Sequence, residues 1–432
     1  MPQTIMMEVY SQIRPRPDPL IAGDAAKWCT VQAGHRENYG IPRALQRAGV
    51  LDFLITDMWI LPGSPIYRLA TGSLGRRLRD RFHVELERER IRSFGGSCLS
   101  WEVGATVRGL RGGRRVLARN DWWGVTAARG LRRFAGSSTR FVFCYCYESR
   151  PILSAARDLG LVPVLGQIDP GPVEDEKVAE VVGRWPQYQT PFQRGTDAYY
   201  ASWREECRLA ERIMVNSEWS RAALEKAGVA PTKVTVVPLI YTPPPESVGW
   251  LRAYPKAFTV RRPLRVLFLG QCILRKGIAE TIEAAHALSD QPVEFTLVGN
   301  SDITGLEKHF GRGRIRRADR VSRSECHAYY RDADVFLFPT HSDGFGLTQL
   351  EAQTWKLPII ASRFCGRVVE PGKTGWTLDQ VSSDAIAGVI QEILAAPSVL
   401  ARLSRQIKPW SFGVSELGSR LRSLETPADG AP

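Results

Sequence analysis

Three short stretches of the chain bring together the residue types that hold phosphate esters. The first is Gly270-Gln-Cys-Ile-Leu-Arg275-Lys276-Gly277. Its glycines permit close backbone approach, and Arg275 and Lys276 stand where an anion would meet the positive end of a helix dipole. The second is Pro339-Thr-His-Ser-Asp343-Gly344-Phe345-Gly346-Leu347-Thr-Gln-Leu-Glu351. Gly344 and Gly346 flank Phe345 at a helix start, so backbone N–H groups there can hold phosphate oxygens. The third, Arg363-Phe-Cys-Gly-Arg-Val-Val-Glu370, is expected to bring Glu370 to the same rim. Taken singly, each has an ordinary structural explanation: solvated basic residues, a helix cap at Asp343, a surface residue at Glu351. Two further strings are decoys. Asp332-Ala-Asp334 imitates a metal-binding pair but stands between a helix and a strand, and Gly372-Lys-Thr374 has Arg367 where a phosphate loop needs glycine.

The elements that must position these stretches are legible in the second half. Residues 264–270 form an apolar run ending in Gly, as a buried parallel strand does. A helix follows over 276–288, with Ile278, Ile282, Ala285 and Leu288 on one face. The pattern then predicts strands at 293–299, 335–339 and 357–361, and helices at 324–331, 346–356 and 383–395. Such alternation implies an α/β fold with a doubly wound parallel sheet, and ligands bind such sheets beyond the carboxyl ends of the strands. The first half follows the same grammar. Helices are expected at 42–48, 152–159, around 174–182, at 198–210 and 217–227; strands at 52–57, 141–147, 162–165, 212–216 and 234–237. Residues 60–135, rich in Arg and Gly, resist assignment. The expected organisation is an amino-terminal domain over 1–240, a Pro-rich linker over 241–263, a carboxy-terminal domain over 264–405 that carries these loops, and a helix in 406–432 that crosses back to the first domain and ends in a tail.

At 432 residues the chain exceeds one ordinary core. No run of about 18 apolar residues spans a membrane, and residues 1–23 lack the pattern of a signal peptide. Eight cysteines are sparse, without Cys-x-x-Cys or zinc-like spacing. Cys144 and Cys146 alternate in an apolar run and are expected in the core. A reduced, cytoplasmic setting follows as an expectation. The net charge of +13 is uneven: residues 76–140 hold sixteen Arg, no Lys and six acids, a local excess of +10. Such a segment attracts phosphates of nucleic acid, anionic lipid or an anionic substrate, although the mixed-charge part around 85–92 also suits a solvated helix face. With few interleaved aromatics and no nucleic-acid motif, nucleic acid is not an expected partner. Peripheral contact with an anionic membrane at its inner face is.

The string Ser342-Asp343-Gly344-Phe345-Gly346-x4-Glu351-Ala, then Leu357-Pro-Ile-Ile-Ala361 and Gly372-Lys-Thr-Gly375, resembles the retaining glycosyltransferases of family 4. Phe268-Leu-Gly270-x5-Lys276-Gly277 resembles their phosphate-binding segment, and the likeness is strongest from Leu209 to Leu378. It implies the glycosyltransferase-B fold, two Rossmann-like domains facing a central cleft. It also implies roles. Lys276 would meet the donor diphosphate, Glu351 the ribose hydroxyls, and Asp343, an Asp where the family has Glu, would lie near the donor sugar. Gly270, Gly344, Phe345, Gly346 and Leu347 would line the donor, and Gly34 its diphosphate. Many members carry Arg at the position of Gln271, so Arg275 would supply that charge. Asp169 is a candidate polar group at the reaction centre.

The implied reaction moves a sugar from a nucleotide-diphosphate sugar to a glycan, lipid-linked saccharide or other acceptor. It retains anomeric configuration, with no protein nucleophile, cofactor or metal. A nucleotide-sugar epimerase or hydrolase on the same fold, or a non-enzymatic anion-binding protein, remains open at this point.

Overall fold

The computed structural model describes residues 26–69, 75, 78–301, 303–309, 314–319, 321–408, 410 and 412–426. The amino-terminal stretch 1–23, the tail beyond 426, and Arg76 and Arg77 of the basic segment lie outside the described residues. The strands form two sheets, of order β3-β2-β1-β4-β5-β6-β7 and β10-β9-β8-β11-β12-β13. The chain divides into two compact units, one reaching Val164 and including Val414–Pro427, the other spanning Leu165–Gly413.

In the first unit β1 (Lys27–Gln32), β2 (Leu51–Thr56), β3 (Ile91–Ser93) and β4 (Thr139–Tyr145) pair in parallel, and β5 (Val162–Gly166) begins there. Helix α1 (Gly40–Arg47) connects β1 to β2. Among the described residues the unassigned Arg- and Gly-rich stretch contains a short helix at Pro65–Leu69, β3 and two longer helices, α2 (Gly95–Val107) and α3 (Gly112–Phe134). Two of its glycines serve packing. A Cβ on Gly124 would stand 2.5 Å from the Glu148 carbonyl oxygen, and one on Gly130 2.9 Å from the Phe94 ring. Helix α4 (Arg150–Asp158) follows β4. Cys144 and Cys146 are buried, in line with the alternation of their apolar run.

The second unit carries α5 (Pro172–Arg184), α6 (Asp197–Leu209), β6 (Arg212–Val215), α7 (Glu218–Lys226) and β7 (Val234–Val236). The six-stranded sheet follows: β8 (Leu264–Leu269), α8 (Ile278–Ala287), β9 (Val293–Val298), β10 (Ile315–Ala318), α9 (Arg323–Asp332), β11 (Val335–Phe338), α10 (Leu347–Thr354), β12 (Ile359–Ser362), β13 (Gly375–Leu378), α11 (Ser383–Ala395) and α12 (Ser398–Gln406). Ile278, Ile282, Ala285 and Leu288 all lie in its core beside Val266 and Phe295. That burial, at about 25 cal/mol per Å2 of apolar surface, is what holds α8 on the sheet. The Pro-rich stretch before β8 is anchored at Arg252. The Arg252 guanidinium donates to the carbonyls of Tyr330, Arg331, Ala333 and Trp355. A cation there suits the negative end of α9 and satisfies carbonyls that the helix leaves open.

Helix α13 (Val414–Ser423) belongs to the first unit and packs on α1. Gly418 lets the helices close, since a Cβ there would lie 2.9 Å from the Ala44 carbonyl oxygen. Beyond it, the Trp28 indole N–H donates to Glu425 at 2.9 Å.

Candidate functional site

The carboxyl ends of β8, β11 and β12 open onto the loops that the sequence singles out. Gly270 ends β8, and Gly299, after β9, must be bare: a Cβ there would lie 1.8 Å from the Gly270 carbonyl oxygen. A single helical turn at Leu274–Lys276 then delivers the chain to Gly277, the cap of α8, at φ +76°. A Cβ on Gly277 would stand 2.1 Å from the Pro339 carbonyl oxygen. Left-handed geometry and this close approach both select glycine, and together they press Lys276 against the loop after β11.

Lys276 forms an ion pair with Asp343, and its ammonium lies 5.3 Å from the centre of the Phe338 ring. Burial alone would raise the Asp343 carboxyl, but Lys276 and Arg275 outweigh it and hold the group below its ordinary range. Asp343 also accepts the Phe345 N–H at 3.2 Å, so it shapes the turn it precedes. At Gly344 a Cβ would meet the Ile168 carbonyl oxygen at 2.4 Å, and at Gly346, with φ +87°, the Phe338 ring at 2.6 Å. Leu347 starts α10, and Glu351, one turn further, accepts the Tyr330 hydroxyl at 2.7 Å.

The structure therefore brings together Lys276, Arg275, Asp343, Gly344, Phe345 and Gly346, with the backbone of Asp169 beside Gly344. The Asp169 carboxylate accepts the Gly171 N–H and the Gln167 amide, both at 2.9 Å, and so fixes the turn leading into α5. Arg275 turns to the loop: its guanidinium donates to the Ser342 carbonyl at 2.7 Å and meets Glu174 at 3.3 Å. Gln271 is exposed. The expectation for Glu370 is corrected. Its side chain is exposed and pairs with Lys373 at 3.1 Å, and the part of that loop that reaches the rim is 364–366. The Phe364 carbonyl accepts the Asp343 N–H at 3.0 Å, and the Gly366 N–H donates to the Phe345 carbonyl at 2.8 Å. Asp334 is tied bidentately to Arg262, both contacts at 2.6 Å, which gives it a structural role at the amino end of β11. Gly34, at φ +77°, lies in the first unit, where its N–H donates to Asp57 at 2.8 Å.

Sequence reasoning missed several residues here. Glu174, in the first turn of α5, accepts the Ser342 hydroxyl at 2.9 Å. Burial pushes its carboxyl up to about 7; Arg275 opposes this, while Asp169 and Asp343 add to it. The Trp219 indole N–H donates to the same hydroxyl at 3.1 Å. Glu280 lies 2.8 Å from His341 and accepts the Trp185 indole N–H at 3.0 Å, anchoring the loop from below. The signal for Glu174 is only a Pro followed by acids at a helix start, which is common in helices that do nothing chemical.

Two parallel sheets flanked by helices, with this rim on the second, are the architecture of glycosyltransferase-B enzymes. The catalytic domain of starch synthase IV from Arabidopsis thaliana, bound to ADP and acarbose, aligns with a TM-score of 0.62 and 13% identity over 92% of this chain and 98% of that one. Anabaena HepE in complex with UDP-glucose aligns with a TM-score of 0.57 and 12% identity over 92% of this chain and 99% of that one. At these identities the likeness is one of fold.

Residues 255–410, which contain the rim, match the glycosyl transferases group 1 model. A D-inositol 3-phosphate glycosyltransferase of Xylanimonas cellulosilytica is 30% identical over 248 residues, 54% of this chain and 57% of that protein. The chain spans about half the length of the curated relatives it matches.

Proposed function

We propose that the protein transfers a sugar from a nucleoside-diphosphate sugar to a hydroxyl of a glycan or lipid-linked saccharide, with retention at the anomeric carbon. The observation that carries this reading is the Lys276–Asp343 ion pair set in a glycine-lined carboxyl rim. A cation with one exchangeable partner suits a diphosphate. Donor binding would move Lys276 to the phosphate oxygens and release Asp343 towards a sugar hydroxyl. Glu351, on the first turns of α10, would hold the ribose. In the reaction the bond from the anomeric carbon to the leaving phosphate oxygen breaks, and the acceptor oxygen bonds to that carbon on the same face. The acceptor proton passes to the departing phosphate. The protein's part is orientation and stabilisation of the leaving charge by Lys276, without a metal or other cofactor.

Release of nucleoside diphosphate, followed across a panel of nucleotide sugars, tests the reading. Turnover that needs an acceptor and is lost in Glu351→Ala and Lys276→Ala supports it, and near-normal turnover in either variant overturns the site. Epimerisation without diphosphate release would point to the same fold with a different reaction. Activity that collapses in EDTA and returns with a divalent ion would refute the metal-free part.

The proposed setting is the cytoplasmic face of an anionic membrane. Among the described residues no single helix is long and apolar enough to cross a membrane. On α2, however, Leu99, Val103 and Val107 recur every four residues as an exposed apolar stripe, Val103 at 65% and Val107 at 82% exposure. The exposed Arg108, Arg111 and Arg114 adjoin it. Apolar side chains beside arginines suit the interface of anionic lipid. If phosphatidylglycerol vesicles at low salt do not sediment the protein, or do so equally with Val103→Glu/Val107→Glu, this setting is wrong.

A further inference from the structure

A cavity of about 580 Å3 opens on the second unit away from the donor rim. It lies over β8, β9 and β10, and Arg261, Arg265, Arg314, Arg316 and Arg317 line it against only Glu294 and Asp332. The rim uses the carboxyl ends of the strands. This cavity sits towards the opposite ends, because Arg261 precedes β8, Arg265 is its second residue, and Arg314 immediately precedes β10. Ligands of α/β sheets gather at carboxyl ends, so a basic pocket here is not an extension of the donor site.

The arginines differ in how they are engaged. Arg316 reaches Glu294 at 2.9 Å but remains 73% exposed, and Arg317 meets the exposed Asp319 at 3.1 Å. The Arg265 guanidinium donates to the Asp332 carbonyl at 3.3 Å. Arg261 and Arg314 have no side-chain partner among the described residues. The wall that presents Arg261 is rigid. Thr259 and Arg262 exchange backbone hydrogen bonds at 3.0 and 3.1 Å, and Arg262 is bolted to Asp334. Five guanidinium groups around one cavity repel one another, and Glu294, Asp332 and the exposed Asp319 do not neutralise them. Half-buried Ala318 and Tyr329 add apolar contact inside a ring of bidentate anion donors.

We infer that this cavity is a second ligand site, for a small organic phosphate carrying at least two negative charges, such as a sugar bisphosphate. The volume lies within the range of small-molecule sites, about 300–1,000 Å3. Charge complementarity selects a polyanion over a neutral sugar. Because β8 runs from this pocket to Gly270, an occupant is placed to influence the donor rim along one strand.

The donor rim also takes phosphates under the function proposed above, so the test removes it. In Lys276→Ala protein, titration calorimetry with inorganic pyrophosphate and with fructose 1,6-bisphosphate should give one equivalent of binding that weakens as salt rises. Adding Arg261→Glu and Arg314→Glu should weaken it at least about tenfold; neither side chain holds the fold, and unchanged thermal melting will confirm this. Equal binding with and without the two charge reversals overturns the proposal. So does absence of binding in Lys276→Ala, which would leave these arginines only guarding the edge strand β10 against pairing. Either result leaves turnover by the wild-type enzyme, and with it the proposed function, untouched.

Discussion

The Gly34 loop of the first unit and the Lys276 rim of the second are built from like parts and end in different states. Each follows the first strand of its half, turns on a left-handed glycine, and faces an acid. In the first unit Asp57, 1% exposed as a side chain, receives the Gly34 and Met58 N–H groups and the guanidiniums of Arg81 and Arg119 at 2.6 and 2.7 Å. Nothing in that arrangement is exchangeable. In the second, Asp343 has one lysine and one backbone N–H, and a phosphate could replace it on the lysine. The difference shows that positive charge alone does not mark a ligand site. Arg81 and Arg119 come from the basic segment that stands out in the sequence, yet they hold a fold together.

The largest effect expected from breaking this comparison is Asp57→Ala. It removes the carboxylate that Arg81 and Arg119 share, leaving Arg119 only its weaker pair with Glu102 at 3.3 Å, and should cost about 3–5 kcal/mol in denaturant unfolding. A loss below about 1 kcal/mol would mean that the first unit does not depend on that cluster. Next, Lys276→Ala should lower diphosphate-releasing turnover about 100- to 1,000-fold, the loss of about 3–4 kcal/mol of charge stabilisation. Because Arg275 still faces Asp343, its melting temperature should fall less than that of Asp57→Ala, which separates an exchangeable pair from a structural one.

A third prediction concerns Glu174. Its carboxyl is raised from an ordinary 4.5 to about 7, chiefly by burial. A raised acid leaves stability undiminished below the ordinary pKa and removes it as pH climbs towards 7. Between pH 4.5 and 7 this group should take away about 3 kcal/mol, and Glu174→Gln should abolish that part of the pH dependence. The first unit has counterparts in Glu37 and Glu148, both pushed to about 7 by burial, so a sloping remainder in Glu174→Gln is expected. A stability profile of Glu174→Gln identical to wild type would contradict the burial argument. The smallest effect belongs to Arg132→Ala. Its pair with Asp158, at 2.8 Å, is exposed on both sides, and its removal should change unfolding free energy by less than about 1 kcal/mol.

Much of the second half is legible in its residue pattern alone. Periods of helix and strand place β8, β9, β11 and α8 within a residue or two, because buried parallel strands are short apolar runs and α8 buries one regular face. The first half is harder for identifiable reasons. β1 has Lys, Thr and Gln among its six residues, so no apolar run announces the strand in the middle of its sheet. α2 and α3 contain seven glycines between them and expose several valines, so helical periodicity is obscured. β10 escapes notice because three of the four residues from Arg314 to Arg317 are arginine.

Residue pattern alone specifies an α/β fold of alternating elements, the three loops beyond the carboxyl ends of the second sheet, and the residue types that could meet a diphosphate. These follow from local periodicity and from glycine's unique access to left-handed backbone. Tertiary structure decided which charges are free. Lys276 faces Asp343, Arg275 is drawn to Ser342 and Glu174, Asp57 is saturated by two arginines, and Arg261 and Arg314 stand around a cavity without a side-chain partner among the described residues. A charge acquires its partners across tens or hundreds of residues of chain. The free energy of each pair depends on distance and burial, which no local pattern encodes.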